Sequence, residues 1–197
     1  CWLFFFYITM IIMIKYLFFT FAFFLALLSW LISNYYQPWL GAYPNSLAFM
    51  AYWLVFVWGV VKLPFRGGKE LILLPAVLLI IICQYLFGIS IYLGEVLVVS
   101  LFIIAFVMAY ITALNISYSN TFRLPFIKSL AILFVIGSVI SGWIALLQWQ
   151  QLNGSIWIRD MALGGRPYAN FGQPNNLATA LCLGLAGVLY LFEIRTL

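Results

Sequence analysis

Six long apolar runs, almost empty of charged side chains, take up most of this 197-residue chain. They cover residues 16–33, 46–61, 70–87, 92–113, 129–149 and 174–192. A bilayer core of about 30 Å needs about 20 helical residues to cross it, and lipid-exposed backbone must satisfy its own hydrogen bonds. Only 7% of the residues are charged, against about 25% in an ordinary soluble domain. The sequence therefore predicts an all-α, polytopic membrane protein with about six transmembrane helices, and it excludes a cytosolic enzyme, a nucleic-acid binder and a disordered chain.

The two ends of the sequence are unusual for such a protein. The chain starts with Cys1 rather than methionine, and Met13 and Lys15 stand before the first apolar run as a natural start would. We expect residues 1–15 to be an N-terminal cytoplasmic extension, with residues 1–12 additional to the native start. Residues 16–197 then form the transmembrane domain, and because the chain stops just after the sixth run we expect its C-terminus to be truncated.

The basic residues orient the predicted helices. Cytoplasmic loops of membrane proteins carry an excess of Lys and Arg, so Lys15 is placed in the cytoplasm. Successive spans then alternate in direction, and seven of the nine basic residues fall on the cytoplasmic side: Lys15, Lys62, Arg66, Lys69, Arg123, Lys128 and Arg195. The two exceptions, Arg159 and Arg166, share the outer loop 150–173. A loop that departs twice from the orientation rule is the first candidate for a functional role.

The end of this outer loop has the sequence of a helix start. Pro174 suits a first helical position because its missing N–H would be unsatisfied there anyway, which places Gln173 at the N-cap. Free N–H groups and the positive end of the helix dipole would then point outward, close to Arg159 and Arg166. Such a group can bind an anion at headgroup depth, and a lipid phosphate or diphosphate is the natural ligand. The alternative is a loop that only caps its own helix, with Arg159 paired to Asp160.

The same stretch resembles a known signature. Residues 166–179 read Arg-Pro-Tyr-Ala-Asn-Phe-Gly-Gln-Pro-Asn-Asn-Leu-Ala-Thr, and the most specific part is Gln173-Pro174-Asn175 before a helix rich in small residues. This is similar to the bacterial O-linked oligosaccharyltransferases, the pilin glycosylation ligases of the O-antigen ligase superfamily. A weaker similarity covers Gln37-Pro38-Trp39 and the residues that follow in the first outer loop.

The resemblance implies an activity and a location. Enzymes of this family take an oligosaccharide from undecaprenyl diphosphate and transfer it to Ser or Thr of a periplasmic protein such as pilin. They are multi-pass proteins of the bacterial inner membrane. No cofactor is expected, because arginines and a helix N-terminus can stabilise the departing diphosphate without a divalent metal. The resemblance implies that Arg166, Asn170, Gln173 and Asn175 line the donor site, and the charge argument adds Arg159. The site would face the periplasm, with the N-terminus in the cytoplasm.

One departure from the family concerns the catalytic base. The family carries a later periplasmic loop with a histidine that acts on the acceptor hydroxyl, whereas this chain has no histidine. We therefore expect an amino-terminal fragment that binds donor lipid without turnover, and its catalytic residue is unknown. The four acidic residues form no cluster in the sequence, so no metal site is predicted. An O-antigen ligase or polymerase of the same superfamily, or a membrane transporter or flippase with an anionic-lipid site, remains an alternative.

Overall fold

The computed structural model describes residues 18–33, 42–63, 68, 73–89, 92–152 and 158–196, and every regular element in these ranges is an α-helix. The helices are α1 Phe18–Leu31, α2 Ala42–Lys62, α3 Leu73–Leu86, α4 Leu93–Ser117, α5 Arg123–Trp149 and α6 Pro174–Thr196. Helices α2, α4, α5 and α6 are long and apolar enough to cross a bilayer, while α1 and α3 are shorter. This confirms the predicted all-α, polytopic membrane fold. The predicted extension 1–15 and the Gln37–Trp39 similarity lie outside the described residues.

Several helix boundaries differ from those of the apolar runs. The runs 92–113 and 129–149 predicted a loop between them, over residues 115–128, but α4 continues to Ser117 and α5 already begins at Arg123. Pro125 is tolerated because a first helical turn lacks intrahelical partners for its N–H groups. The Ser117 hydroxyl donates to the carbonyl oxygen of Leu114 at 2.7 Å, so the last turn of α4 accommodates a polar side chain. Helices α4 and α5 thus extend beyond their apolar runs, because a run measures the bilayer core and not the full helix.

The contacts divide the chain into two compact units, one of residues 1–51 with 124–197 and the other of residues 52–123. In the second unit α3 contacts α4. Trp58 meets Phe122 edge to face, with ring centroids 4.9 Å apart. Gly59 is close to Thr112, whose hydroxyl donates to the Met108 carbonyl oxygen at 2.7 Å. Trp58 and Gly59 of α2 therefore lie beside α4 and the turn that follows it.

In the first unit α5 and α6 pack in antiparallel fashion through small residues. The buried Ser138 hydroxyl donates to the Ala180 carbonyl oxygen at 2.7 Å. Gly184 lies against Ser138, and a Cβ at Gly187 would come within 2.8 Å of the Ala131 carbonyl oxygen. In a bilayer such close approach is the main source of helix association, because lipid tails are as apolar as the helices. Small residues in these two helices therefore let their backbones come into close contact.

Trp30 packs the end of α1 onto α5. Its ring stacks on Phe134 with centroids 5.6 Å apart, and it meets Phe171 edge to face at 5.9 Å. A Cβ at Gly137 would lie 2.6 Å from this ring, so the glycine leaves room for the indole. The end of α1 is thereby held beside α5 and beside the segment that leads into α6.

The antiparallel pair has two chemically different ends. Arg123 and Lys128 lie at the start of α5, and Arg195 lies in the last turn of α6, so these basic residues share one end. The loop 150–173 joins the helices at the opposite end.

A single added methyl group at the α5–α6 contact should weaken the fold. Gly184→Ala would place its Cβ against Ser138, and overpacking of this kind costs about 1–3 kcal/mol. We expect a lower midpoint in SDS-induced unfolding of the detergent-solubilised protein. Gly94→Ala is the control, because a Cβ there meets nothing within 4 Å. A midpoint for Gly184→Ala at or above that of Gly94→Ala would contradict this account of the contact.

Candidate functional site

The outer loop is organised by Gln148, a fully buried side chain near the end of α5. Its Nε2 donates to the carbonyl oxygens of Arg159 at 3.0 Å and Ala169 at 2.9 Å. Its Oε1 accepts from the backbone N–H groups of Tyr168 at 3.2 Å and Ala169 at 2.8 Å. A carboxamide offers two donor hydrogens and two acceptor lone pairs, so all its hydrogen-bonding capacity is used. One side chain therefore joins two separate points of the loop, Arg159 and Tyr168–Ala169, to α5.

The backbone around Gln148 adopts unusual conformations to make these bonds. Ala169 has φ 48°, in the left-handed region that residues with a Cβ seldom enter. At the end of α5, Gln151 has φ 58°, and the amides of Gln151 and Leu152 donate back to Gln148 and Leu147. This is the bond pattern of a Schellman helix end with glutamine at the position that glycine normally takes. The chain thus turns sharply just after α5, at Gln151, and again at Ala169.

Apolar side chains fill the space below the loop. Ile144 of α5, Ala169 of the loop and Leu177 in the first turn of α6 form one buried cluster, and Ile158 and Phe171 pack against it. The loop therefore has a small core shared with both helices, which fixes where α6 begins.

Asn170 connects the loop to α1. Its side chain is 2% exposed, and its Nδ2 donates to the Leu31 carbonyl oxygen at the end of α1. The resemblance implied a donor-lining role for Asn170, and the structure places this residue below the loop surface. Its hydrogen bond to Leu31 holds the loop to the helix, which is a supporting position.

Arg159 is packed into the loop rather than extended from it. Its guanidinium carbon lies 5.1 Å from the centroid of the Tyr168 ring, a cation–π distance. The Tyr168 hydroxyl in turn donates to the Asp160 carbonyl oxygen at 2.6 Å. Partial burial lowers the pKa of the Arg159 guanidinium below its ordinary value. The nearby Tyr168 acts in the opposite direction, but its effect is smaller. Arginine remains charged at neutral pH in any such environment, so a positive charge is fixed at the base of the loop.

The other three predicted residues are exposed. Arg166 follows a β-turn closed by the Gly165 amide and the Ala162 carbonyl oxygen at 3.0 Å, with Gly164 at φ 75°. Gln173 directly precedes α6, and Asn175 is its second residue. The Leu177 amide donates to the Gln173 carbonyl oxygen at 3.3 Å, so the predicted helix start at Gln173-Pro174 is confirmed. Side-chain amides, an arginine and the positive end of a helix dipole thus share one accessible segment, an arrangement suited to an anion.

Gln148 was not among the site residues predicted from the sequence. It stands at the end of an apolar run beside Trp149, Gln150 and Gln151, a composition typical of a membrane interface. Its helical position could have revealed it, because it shares a buried face with Gly137, Ser141 and Ile144. A lone amide on the packed face of a membrane helix needs a partner, and the nearest non-helical backbone is the outer loop.

Comparison with known proteins gives two matches. Residues 167–192 match the family model described as protein glycosylation ligase. That segment contains Asn170, Gln173 and Asn175, and it starts just after Arg166. The chain is also 33% identical over 174 residues to the general O-oligosaccharyltransferase of Acinetobacter baylyi, which covers 86% of this chain. It spans 30% of the length of that relative. No solved structure matches the chain significantly.

The backbone at Ala169 should accept glycine and reject a branched side chain. Ala169→Gly suits the left-handed φ, whereas Ala169→Val is strained and meets a site that is only 1% exposed. We expect the Tyr168 and Ala169 amides to exchange hydrogen much faster in Ala169→Val than in wild type, measured by mass spectrometry of the peptide that contains them. Ala162→Val, at an exposed position of the same loop, serves as the control. Equal exchange in the two valine variants would contradict the described loop conformation.

Proposed function

We propose that this chain, which belongs by sequence to the O-oligosaccharyltransferase family, binds the lipid-linked glycan donor of a protein glycosylation reaction at its outer loop. The observation that carries the proposal is the exposure of Arg166, Gln173 and Asn175 around the start of α6, in and next to the stretch matched by the glycosylation ligase family. The donor is an oligosaccharide on undecaprenyl diphosphate, and the acceptor is Ser or Thr of a periplasmic protein such as pilin.

Three exposed side chains contact the diphosphate in this proposal. Arg166 offers a planar fork of N–H donors that matches phosphate oxygens. Gln173 and Asn175 offer amide N–H donors beside the first amides of α6, where the helix dipole favours an anion. Arg159 adds positive charge from the base of the loop, where Tyr168 covers its guanidinium. Asn170 supports the loop from below through its bond to α1.

These groups would assist departure of the lipid. The acceptor hydroxyl oxygen forms a bond to the anomeric carbon of the glycan, and the bond from that carbon to the diphosphate oxygen breaks. The electron pair leaves with the diphosphate, and the hydroxyl proton passes to a base. Preorganised donors stabilise the charge that grows on the leaving oxygen in the transition state. The proposal gives this chain that electrostatic role and assigns the base to none of its residues.

The membrane orientation follows from the two ends of the α5–α6 pair. The basic end lies in the cytoplasm and the loop faces the periplasm of a bacterial inner membrane, with the N-terminus of the chain cytoplasmic. A diphosphate at headgroup depth then meets the loop while its polyprenyl chain stays among the lipid tails. Four apolar helices of membrane-spanning length support a location in a membrane.

Donor binding should depend on charge at the loop and not on charge in general. In nanodiscs of neutral phosphatidylcholine, we expect Arg166→Ala to weaken binding of undecaprenyl diphosphate about tenfold or more, because it removes charge-assisted hydrogen bonds. Arg195→Ala removes the same charge at the opposite end of α6 and should leave the affinity unchanged. Equal affinities for wild type and Arg166→Ala, or no binding by wild type, would contradict the proposed donor site.

Glycan transfer tests the reaction itself. The complete gene that contains this sequence is co-expressed with a lipid-linked glycan pathway and a pilin-like acceptor, and the acceptor mass is measured. We expect glycan addition with the wild-type gene and at least about tenfold less with Gln173→Ala at equal expression, because the donor is held less tightly. An acceptor modified equally by both would exclude Gln173 from the site. An acceptor never modified, with donor binding intact, would favour a glycan acceptor over a protein.

A further inference from the structure

We infer that Gln148 is a positioning residue of the donor site, one that acts through the loop backbone rather than by touching the donor. The inference rests on the proposed function for the identity of the ligand, and on the structure for the loop conformation. Its basis is the complete use of one buried carboxamide by three loop residues, Arg159, Tyr168 and Ala169.

Gln148 supplies the hydrogen-bond partners that water would otherwise supply to the loop backbone. Backbone groups of a loop at a membrane interface need partners, and those of Tyr168 and Ala169 face a site with little water because Ala169 is 1% exposed. The carboxamide supplies both an acceptor for their N–H groups and a donor for the Ala169 carbonyl oxygen. An apolar side chain of the same size would leave all these groups unsatisfied in place, so the loop would have to move away from α5 to find water.

The proposed donor contacts lie close in sequence to the backbone that Gln148 holds. Arg166 is two residues before Tyr168, and Gln173 is four residues after Ala169. Arg159, whose carbonyl oxygen is held by the same carboxamide, carries the charge at the base of the loop. The proposed donor contacts are thus set by backbone that Gln148 fixes, and a displacement of about 1 Å in a contact is enough to impair binding or transfer.

Gln148 differs in this respect from a residue that only stabilises the helix pair. Ser138 is also buried on α5, and its hydroxyl bonds the Ala180 carbonyl oxygen between two helices. Losing that bond should weaken the fold without changing the loop. Losing the Gln148 bonds should change the loop while the helices remain paired. The two positions therefore separate a positioning role from a structural one.

The experiment compares Gln148→Met with two matched controls in neutral nanodiscs. Methionine keeps the size of the side chain and removes its hydrogen bonds. Gln150→Met makes the same change two residues along, at an exposed position, and Ser138→Ala removes a buried hydrogen bond away from the loop. Two quantities are measured for each variant: hydrogen exchange of the peptide containing Tyr168 and Ala169 without ligand, and affinity for undecaprenyl diphosphate.

We expect Gln148→Met to raise the exchange rate about tenfold or more and to weaken donor affinity by a similar factor, at unchanged helix content by circular dichroism. Gln150→Met should leave both quantities within about twofold of wild type. Ser138→Ala should lower the SDS unfolding midpoint and leave loop exchange and affinity at their wild-type values.

The inference is overturned if loop exchange in Gln148→Met stays at the wild-type rate, even where wild type binds the donor well. It is also overturned if Ser138→Ala loosens the loop and weakens the affinity as much as Gln148→Met, because that would indicate a general loss of structure. Failure of the proposed function looks different: wild type binds no donor while Gln148→Met still speeds loop exchange. In that case Gln148 positions the loop, and the ligand assignment is wrong.

Discussion

The buried carboxamide of Gln148 is the interaction on which the outer loop depends. A buried polar group must be paired, and this one is paired only when Arg159, Tyr168 and Ala169 lie where the structure has them. Each such bond contributes only about 1 kcal/mol net, but breaking it leaves buried groups that cost more. The conformation of the loop is therefore specified by the penalty for leaving it as much as by the bonds it gains.

The carboxamide can act in this way because the helices bring α5 and α6 close together. Ser138, Gly184 and Gly187 let the two backbones approach, so the start of α6 lies beside the end of α5. Leu177 of α6 and Ile144 of α5 then close over Ala169. Helix packing thus brings the end of α5 and the start of α6 together, and the Gln148 carboxamide then sets the conformation of the loop between them.

The features that arise from local chemistry were predictable from the sequence. Apolar length indicated the helices, and the Gln173-Pro174 pair indicated where α6 starts, since proline needs no N–H partner there. The end of α4 and the start of α5 extend past the predicted boundaries, because apolar runs follow the bilayer core rather than the whole helix. Gln148 escaped prediction because its partners are backbone groups 11 to 21 residues away. The burial of Asn170 against Leu31 escaped for the same reason, since it joins residues far apart in the sequence.

Amide side chains occupy both the interior and the surface of the loop, and their neutrality explains why. Gln148 and Asn170 are buried near a membrane interface, where a charged group would carry a large desolvation cost and an amide carries a cost that four or fewer hydrogen bonds can offset. The charge of Arg166 lies on an exposed side chain, where water can hydrate it. In the proposed donor site the buried amides therefore hold the backbone in place before the lipid arrives. Binding then pays less conformational entropy, because the donors need not be ordered at that moment.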